Sequence, residues 1–267
     1  MNDILPEHNQ GIVLIPQLLT NNADDFIHTA KKIKRLGYHE INLNLGCPSG
    51  TVVSKGRGSG FLAKRAELDV FLDKIFSHPV TKISIKTRIG KDRPEEFGEL
   101  IEIYNKYPME ELIIHPRVQT DFYRNTPNME VFSAAFGQSK NPVCYNGDLC
   151  TKEDINGFSA GYPGVETVML GRGLLMNPGL VNELLHNIKP DKHLLKNFHD
   201  QIYDGYKKIL FGDRNVLFKM KELWNYMIEI FCDNAKHAKR IKKSQSLRDY
   251  DEAVSSLFGE SDMVDIR

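Results

Sequence analysis

Apolar residues in this chain fall into short, near-continuous runs separated by stretches of helical spacing. The run Ile41-Asn42-Leu43-Asn44-Leu45 alternates strictly. That period of two predicts a strand with Ile41, Leu43 and Leu45 on one face and the two asparagines on the other. Pro48 ends it, and Gly50, Gly56, Gly58 and Gly60 give the following loop unusual backbone freedom. Five more runs have strand character: Gly11 to Leu18, Lys82 to Ile89, Glu111 to Arg117, Pro142 to Asp148 and Thr167 to Gly173. The first is read as a buried strand bounded by glycine and by Thr20-Asn21-Asn22.

Between the strands lie helical patterns. Asp24 to Leu36 repeats apolar residues at Phe26, Ile27, Ala30 and Ile33, with Asn22 as cap and Gly37 as stop. Ala66 to Phe76, Glu95 to Lys106 and the segments near Val131 to Phe136 and Lys152 to Phe158 follow. Strands that alternate with helices predict a parallel sheet with the helices outside it. Polar residues gather at one end of each strand: Gln17, Asn44 with Cys47, Lys86 with Arg88, His115 with Arg117, Asn146 with Asp148, and Arg172. In a (β/α) barrel such ends converge on one mouth, where the chemistry sits. Taken alone, Cys47 reads as a small buried hydrophobe before a turn; this convergence raises it to a candidate.

From about Leu194 the strands stop. Asn197 to Leu210, Val216 to Ile230, Ala235 to Lys243 and Ser246 to Phe258 read as successive helices. The division expected is a barrel over residues 1–188 and a small helical domain over 189–267. Overall the chain is balanced, with 35 Lys and Arg against 35 Asp and Glu, so any nucleic-acid surface must come from local clustering. Between His186 and Asp251 there are 14 basic and 9 acidic residues, densest at Lys236, Lys239, Arg240, Lys242 and Lys243. A solvated helix face and a phosphate-tracking patch both fit such a run.

The 41% hydrophobic and 26% charged content is that of an ordinary globular chain. No run reaches the length of a membrane span, and Met1 to Gln10 has no secretory apolar core. The four cysteines make no CxxC pair and no metal-ligand spacing. A cytoplasmic location, no metal, no membrane and no obligate protein partner are expected.

Five segments in order resemble the flavin-dependent tRNA-dihydrouridine synthases. Asn44-Leu45-Gly46-Cys47-Pro48 is similar to that family's N-x-G-C-P segment, with Gly58-Ser59-Gly60-Phe61-Leu62 after it. Ile85-Lys86-Thr87-Arg88-Ile89-Gly90 resembles its K-x-R-x-G strand, and His115-Pro116-Arg117 with Tyr123 its H-x-R segment. Asn146-Gly147-Asp148 and Gly171-Arg172-Gly173, with Asn177-Pro178 following, resemble its two phosphate-binding signatures. The family's barrel has eight strands. Six are found here, and the two without a counterpart are the first two, so the resemblance implies a TIM (β/α)8-type barrel that is N-terminally incomplete.

The activity so implied is reduction of uridine to 5,6-dihydrouridine in tRNA, with FMN as cofactor and NADPH or NADH as reductant. Cys47 would be the acid for C5; an ordinary thiol, with a pKa of ~8.5, is mostly protonated at neutral pH yet can release its proton. Lys86 would be the counter-charge of the reduced flavin, since an unpaired ammonium ending a buried strand is costly. Gln17 would hold the isoalloxazine edge and His115 the flavin or its phosphate. Asn146, Gly147, Asp148, Gly171 and Arg172 would form a phosphate cradle. Asn44, Arg88, Arg117 and Tyr123 are implied in holding the base or the RNA. Two other readings stay open: an FMN barrel acting on a free pyrimidine, as a dihydroorotate dehydrogenase does, and a non-catalytic remnant that binds RNA through Ala235 to Arg248.

Overall fold

A computed structural model describes residues 2–264. The elements alternate as the periodicity predicts. The first is a short strand β1 (Gln17–Leu18), followed by α1 (Ala23–Arg35), β2 (Glu40–Leu45), α2 (Gly50–Val53), α3 (Arg65–Ser77) and β3 (Lys82–Gly90). Next come α4 (Glu96–Tyr104), β4 (Leu112–Val118), α5 (Met129–Gln138), β5 (Val143–Tyr145), α6 (Lys152–Gly161) and β6 (Thr167–Val168). The remaining elements are helices: α7 (Arg172–Met176), α8 (Leu180–His186), α9 (Lys192–Ile209), α10 (Asp213–Met227), α11 (Ala235–Lys243) and α12 (Leu247–Glu260).

Two compact units emerge, one of residues 1–147 with 164–169 and one of 148–163 with 170–267. The change from strands to helices near residue 189 therefore falls inside the second unit. Helices α7 and α8 sit with that unit because α7 packs on α10 and α8 on α6.

The first unit holds one sheet in the order β1-β2-β3-β4-β5-β6, every neighbouring pair parallel. Sequential parallel order is what successive right-handed βα units produce, and it is the order of barrel strands. Among the described residues β1 pairs only with β2 and β6 only with β5. On one face Ile41, Leu43, Leu45, Ile85, Leu112 and Ile114 are fully buried. The helices cover that face. Asn22 caps α1 by accepting from the backbone N–H groups of Asp24 and Asp25, and Gly37 leaves it at φ +95°, as the cap and stop residues predict.

Three strands are shorter than their apolar runs. In Gly11 to Leu18 only Gln17 and Leu18 pair, with Asn42 and Leu43. Pro16 has no N–H to give a ladder, and pairing begins where its carbonyl accepts from the Asn42 amide at 2.9 Å. Ile12, Val13 and Ile15 are exposed, Val13 at 96%, so the buried strand expected there is corrected to an exposed lead-in. Pairing in Pro142 to Asp148 and Thr167 to Gly173 likewise covers only Val143–Tyr145 and Thr167–Val168. Polar ends and glycines turn the chain away before further pairs form.

The second unit has its own core, centred on Leu195, Met220, Trp224, Met227, Tyr250 and Leu257. A buried polar chain crosses it. Trp224 Nε1 donates to the Tyr250 hydroxyl at 2.7 Å, which lies 2.6 Å from His199 Nε2, and His199 Nδ1 lies 2.9 Å from Asp200. No helix among the described residues is long and apolar enough to cross a membrane.

Candidate functional site

The second face of the sheet is polar, and its composition follows from register. Gln17 lies beside Asn42, Asn42 beside Ser84, Asn44 beside Lys86, and Arg88 beside His115. Because strand side chains alternate, these residues share one face with Arg117 and Cys144. Gln17, Asn44, Lys86, Arg88, His115 and Arg117, picked out separately along the chain, are thus brought together.

Cys47 stands just past the end of β2, partly exposed. Its turn is held from inside: the Asn44 side-chain oxygen accepts from the Gly46 and Cys47 backbone N–H groups, each at 3.0 Å. The Cys47 carbonyl accepts from the Ser59 hydroxyl at 2.8 Å and the Ser59 amide at 3.1 Å. The glycine-rich segment expected to be free is instead folded. Part of it is α2, and residues 58–63 form a 3-10 turn. A Cβ on Gly58 (φ +54°) would sit 2.8 Å from the Cys47 carbonyl, and one on Gly60 would sit 2.7 Å from that of Val53. These two glycines permit close packing behind the cysteine, not mobility. Asn21 adds a tie from the β1–α1 connection by donating to the Lys55 and Gly56 carbonyls.

Arg88 is 1% exposed and its guanidinium is given over to backbone. It donates to the carbonyls of Gly46 at 3.1 Å, Val118 at 2.8 Å and Phe122 at 2.5 Å, with the Tyr123 ring 5.3 Å from its carbon. One cation thereby fastens the end of β2 to the segment after β4, as a rigid fork of donors can. Gln119 adds a second tie, donating to the Pro48 carbonyl at 3.1 Å. Arg117, also buried, donates to the Asn125 carbonyl and lies 3.0 Å from His115 Nε2. Arginine can only donate, so His115 Nε2 is the acceptor and its proton sits on Nδ1. Tyr123 is half exposed, its ring 6.1 Å from that of His115.

Lys86 differs from its neighbours. Among the described residues no hydrogen bond or ion pair reaches its ammonium. Burial, with the charge of Arg88 second, pulls it down to about 8. Two strands away burial, then the charge of Glu111, pushes the Cys144 thiol up to about 12. Cys144 is therefore neutral, and the Lys86 ammonium, without a partner among the described residues, shares its face with an amide wall of Gln17, Asn42 and Asn44. A buried ammonium of this kind is a group that an anion would neutralise.

The remaining predicted site residues divide between the two units. In the first, Asn146 donates to the Met169 carbonyl at 2.8 Å, and a Cβ on Gly147 would meet the Tyr145 hydroxyl at 2.7 Å. In the second, Arg172 is ion-paired with Asp148, and Asp148 holds a left-handed backbone at φ +44°. Space around Gly171 is open, whereas a Cβ on Gly173 would meet the Leu149 carbonyl at 2.6 Å.

The basic cluster lies on α11 and is partly neutralised from α12: Lys236 lies 4.0 Å from Glu260 and Arg240 lies 3.8 Å from Glu252. Both carboxylates lie past Asp251, just outside the basic stretch. No carboxylate lies within 4.0 Å of Lys239, Lys242 or Lys243 among the described residues. Lys239 and Lys242 line a groove of about 620 Å³ with Lys221 and Phe218, and Phe218 is 67% exposed. Sequence reading missed Asn42, Ser84, Ser59, Gln119 and Phe218. Asn42 alone carried a signal, through its alternation with Asn44.

The family model for dihydrouridine synthase (Dus) matches residues 2–265. tRNA-dihydrouridine synthase B of Pseudomonas putida is 26% identical over 179 residues, which cover 67% of this chain and 53% of that protein. tRNA-dihydrouridine(16) synthase of Pasteurella multocida is 31% identical over 168 residues, 61% of this chain and 53% of that one. This chain spans about half the length of the curated relatives it matches. Among solved structures, histamine dehydrogenase from Rhizobium sp. 4-9 aligns at a TM-score of 0.47 and 12% identity over 62% of this chain and 27% of its own. With the family model running from residue 2 to residue 265, this chain belongs to the dihydrouridine synthase family.

Proposed function

We propose that this chain reduces uridine to 5,6-dihydrouridine in tRNA, using FMN recharged by NADPH or NADH. One observation supports this above the rest: Lys86, an ammonium without a partner among the described residues, on the same polar face as an Asn44-held Cys47 turn. The residues fit a flavin. Lys86 offers a positive charge to the N1–C2 edge, which is anionic when reduced, and the exposed Gln17 carboxamide, with one N–H and one lone pair spent on its asparagine neighbours, keeps a donor and an acceptor for an imide rim. Gln17 and His115 would hold the ring system. Asp148, Gly171 and Arg172 are the proposed phosphate contacts of the second unit, and Asn146 and Gly147 those of the first. When bound, the reduced flavin supplies hydride to C6 of the uracil.

Everything else falls to the protein. Cys47 gives the Sγ proton to C5, so that one hydride and one proton saturate the double bond. Asn44, Gln119 and Ser59 keep the cysteine turn in place, which matters because a small misplacement of a proton donor costs much of its effect. Arg88 and Arg117 hold the backbone around Tyr123, which is left with an exposed ring for a base or ribose. The uridine must leave its stack to reach this face. Folded tRNA is read largely through shape and phosphates, and Lys239, Lys242 and Lys243 are the proposed phosphate contacts of the second unit.

The test is a choice of acceptor. With FMN and NADPH, the chain is expected to form dihydrouridine in tRNA that lacks it and to leave orotate unchanged. Reduction of orotate but not tRNA would assign it to free pyrimidines. Protein that stays colourless with FMN yet retards tRNA would assign it to RNA binding alone. Replacing Lys239, Lys242 and Lys243 together with Ala should weaken tRNA binding and lower the slope of log K against log salt by about two to three. An unchanged slope would return these lysines to ordinary surface.

A further inference from the structure

Four side chains on three strands form one continuous polar chain that ends on the cysteine turn. Asn44 Oδ1 accepts from the Gly46 and Cys47 amides, and Asn44 Nδ2 donates to Gln17 Oε1 at 2.7 Å. Gln17 Nε2 donates to Asn42 Oδ1 at 2.7 Å, and Asn42 Nδ2 donates to Ser84 Oγ at 3.0 Å. Carboxamide orientation is ordinarily ambiguous, because oxygen and nitrogen look alike. Here it is settled by chemistry. A backbone N–H can only donate, so the Asn44 atom facing Gly46 and Cys47 must be oxygen. Its nitrogen then faces Gln17, and each amide along the chain is fixed in turn.

We propose that Asn42 and Ser84 are positioning residues: through this chain they anchor the Gln17 amide where it meets a ligand and, through Gln17, steady Asn44 on the Cys47 turn. Asn42 and Ser84 are 5% and 2% exposed, so they reach no substrate themselves. Gln17 and Asn44 are more open; the Gly46 and Cys47 amides orient Asn44, and Gln17 lies between Asn44 and Asn42. A chain of amides in one direction is stiffer than its separate bonds, since each bond polarises the next. Removing Asn42 leaves the exposed Gln17 amide with Asn44 as its one remaining partner in the chain, so that it swings away from the place where a ligand edge must match. The proposal rests on the flavin reading for the identity of that ligand, but not for the chain itself.

The experiment is hydrogen exchange of the Gly46 and Cys47 amides in the full chain without flavin or RNA, followed by FMN titration. Asn42→Leu keeps the volume but cannot bond. It should speed exchange at these two amides about tenfold while the β2–β3 ladder amides stay protected, and should weaken FMN binding about five- to tenfold. Asn42→Asp should restore protection, because the carboxylate still accepts from Gln17 and the Ser84 hydroxyl can turn to donate to it. If Asn42→Leu loosens the whole ladder, Ser84→Ala decides, since it removes one oxygen only: the same local loss supports the chain, and none refutes it. Unchanged exchange in Asn42→Leu refutes the proposal whatever the protein reduces. Protected amides in a wild-type chain that ignores FMN would instead refute the flavin reading and leave the positioning chain standing.

Discussion

Cys47→Ala is expected to bind FMN as the wild type does and to lose dihydrouridine formation by about a hundred- to ten-thousandfold, the range of a positioned general acid. The separation follows from how the cysteine is attached. Everything that shapes its turn touches its backbone: Asn44 takes its N–H, Ser59 gives to its carbonyl, and Gln119 gives to Pro48. Removing Sγ therefore leaves the turn and the amide wall in place. Cys47→Ser should recover little, because an alcohol gives up its proton far less readily than a thiol. Single-turnover product formation, with flavin affinity measured alongside, checks this. Product yield unchanged in Cys47→Ala would place the C5 proton elsewhere.

Lys86→Met should move stability and binding in opposite directions. In the folded, ligand-free chain the ammonium is held down to about 8, mainly by burial, below its ordinary value of about 10.5. A folded pKa below the unfolded one means that stability is fully present above about 10.5 and lost as pH falls through about 8. At neutral pH, then, the ammonium is charged and destabilising. Its removal should stabilise the ligand-free chain by at most on the order of 3 kcal/mol. The same variant should weaken FMN binding by about tenfold or more, because the buried charge is what an anionic ring would neutralise. Thermal unfolding with and without FMN reads both effects. A Lys86→Met chain that is less stable and binds FMN normally would make the lysine a structural residue.

How far the sequence alone reaches depends on the distance over which each feature is decided. The cap at Asn22, the stop at Gly37 and the strand around Ile41 are settled within a few residues, and there period and structure agree. Gathering Gln17, Asn44, Lys86 and His115 on one face needs only strand parity and parallel order, so most of the candidate site was also legible. Register is different. Whether Asn42 meets Ser84, and whether Gln17 lies between two asparagines, depends on pairings across 25 and 42 residues. Arg88 shows the same limit. It resembled a substrate-binding residue, yet the carbonyls it holds lie 30 and 34 positions away. The glycines after Cys47 read as freedom because a glycine required by a neighbouring carbonyl looks the same in sequence as one required by a turn. Burial of Ile12, Val13 and Ile15 could not be read at all, since an apolar strand is buried only where something covers it.

The proposed reaction needs one face, with an anion held at Lys86 and a proton given by Cys47. Its most direct test is anaerobic. The chain carrying reduced FMN is mixed with tRNA that lacks dihydrouridine, and in parallel with the same tRNA already fully modified. Flavin reoxidation should be rapid and stoichiometric with the first and absent with the second. Reoxidation by both, or by neither, would contradict it.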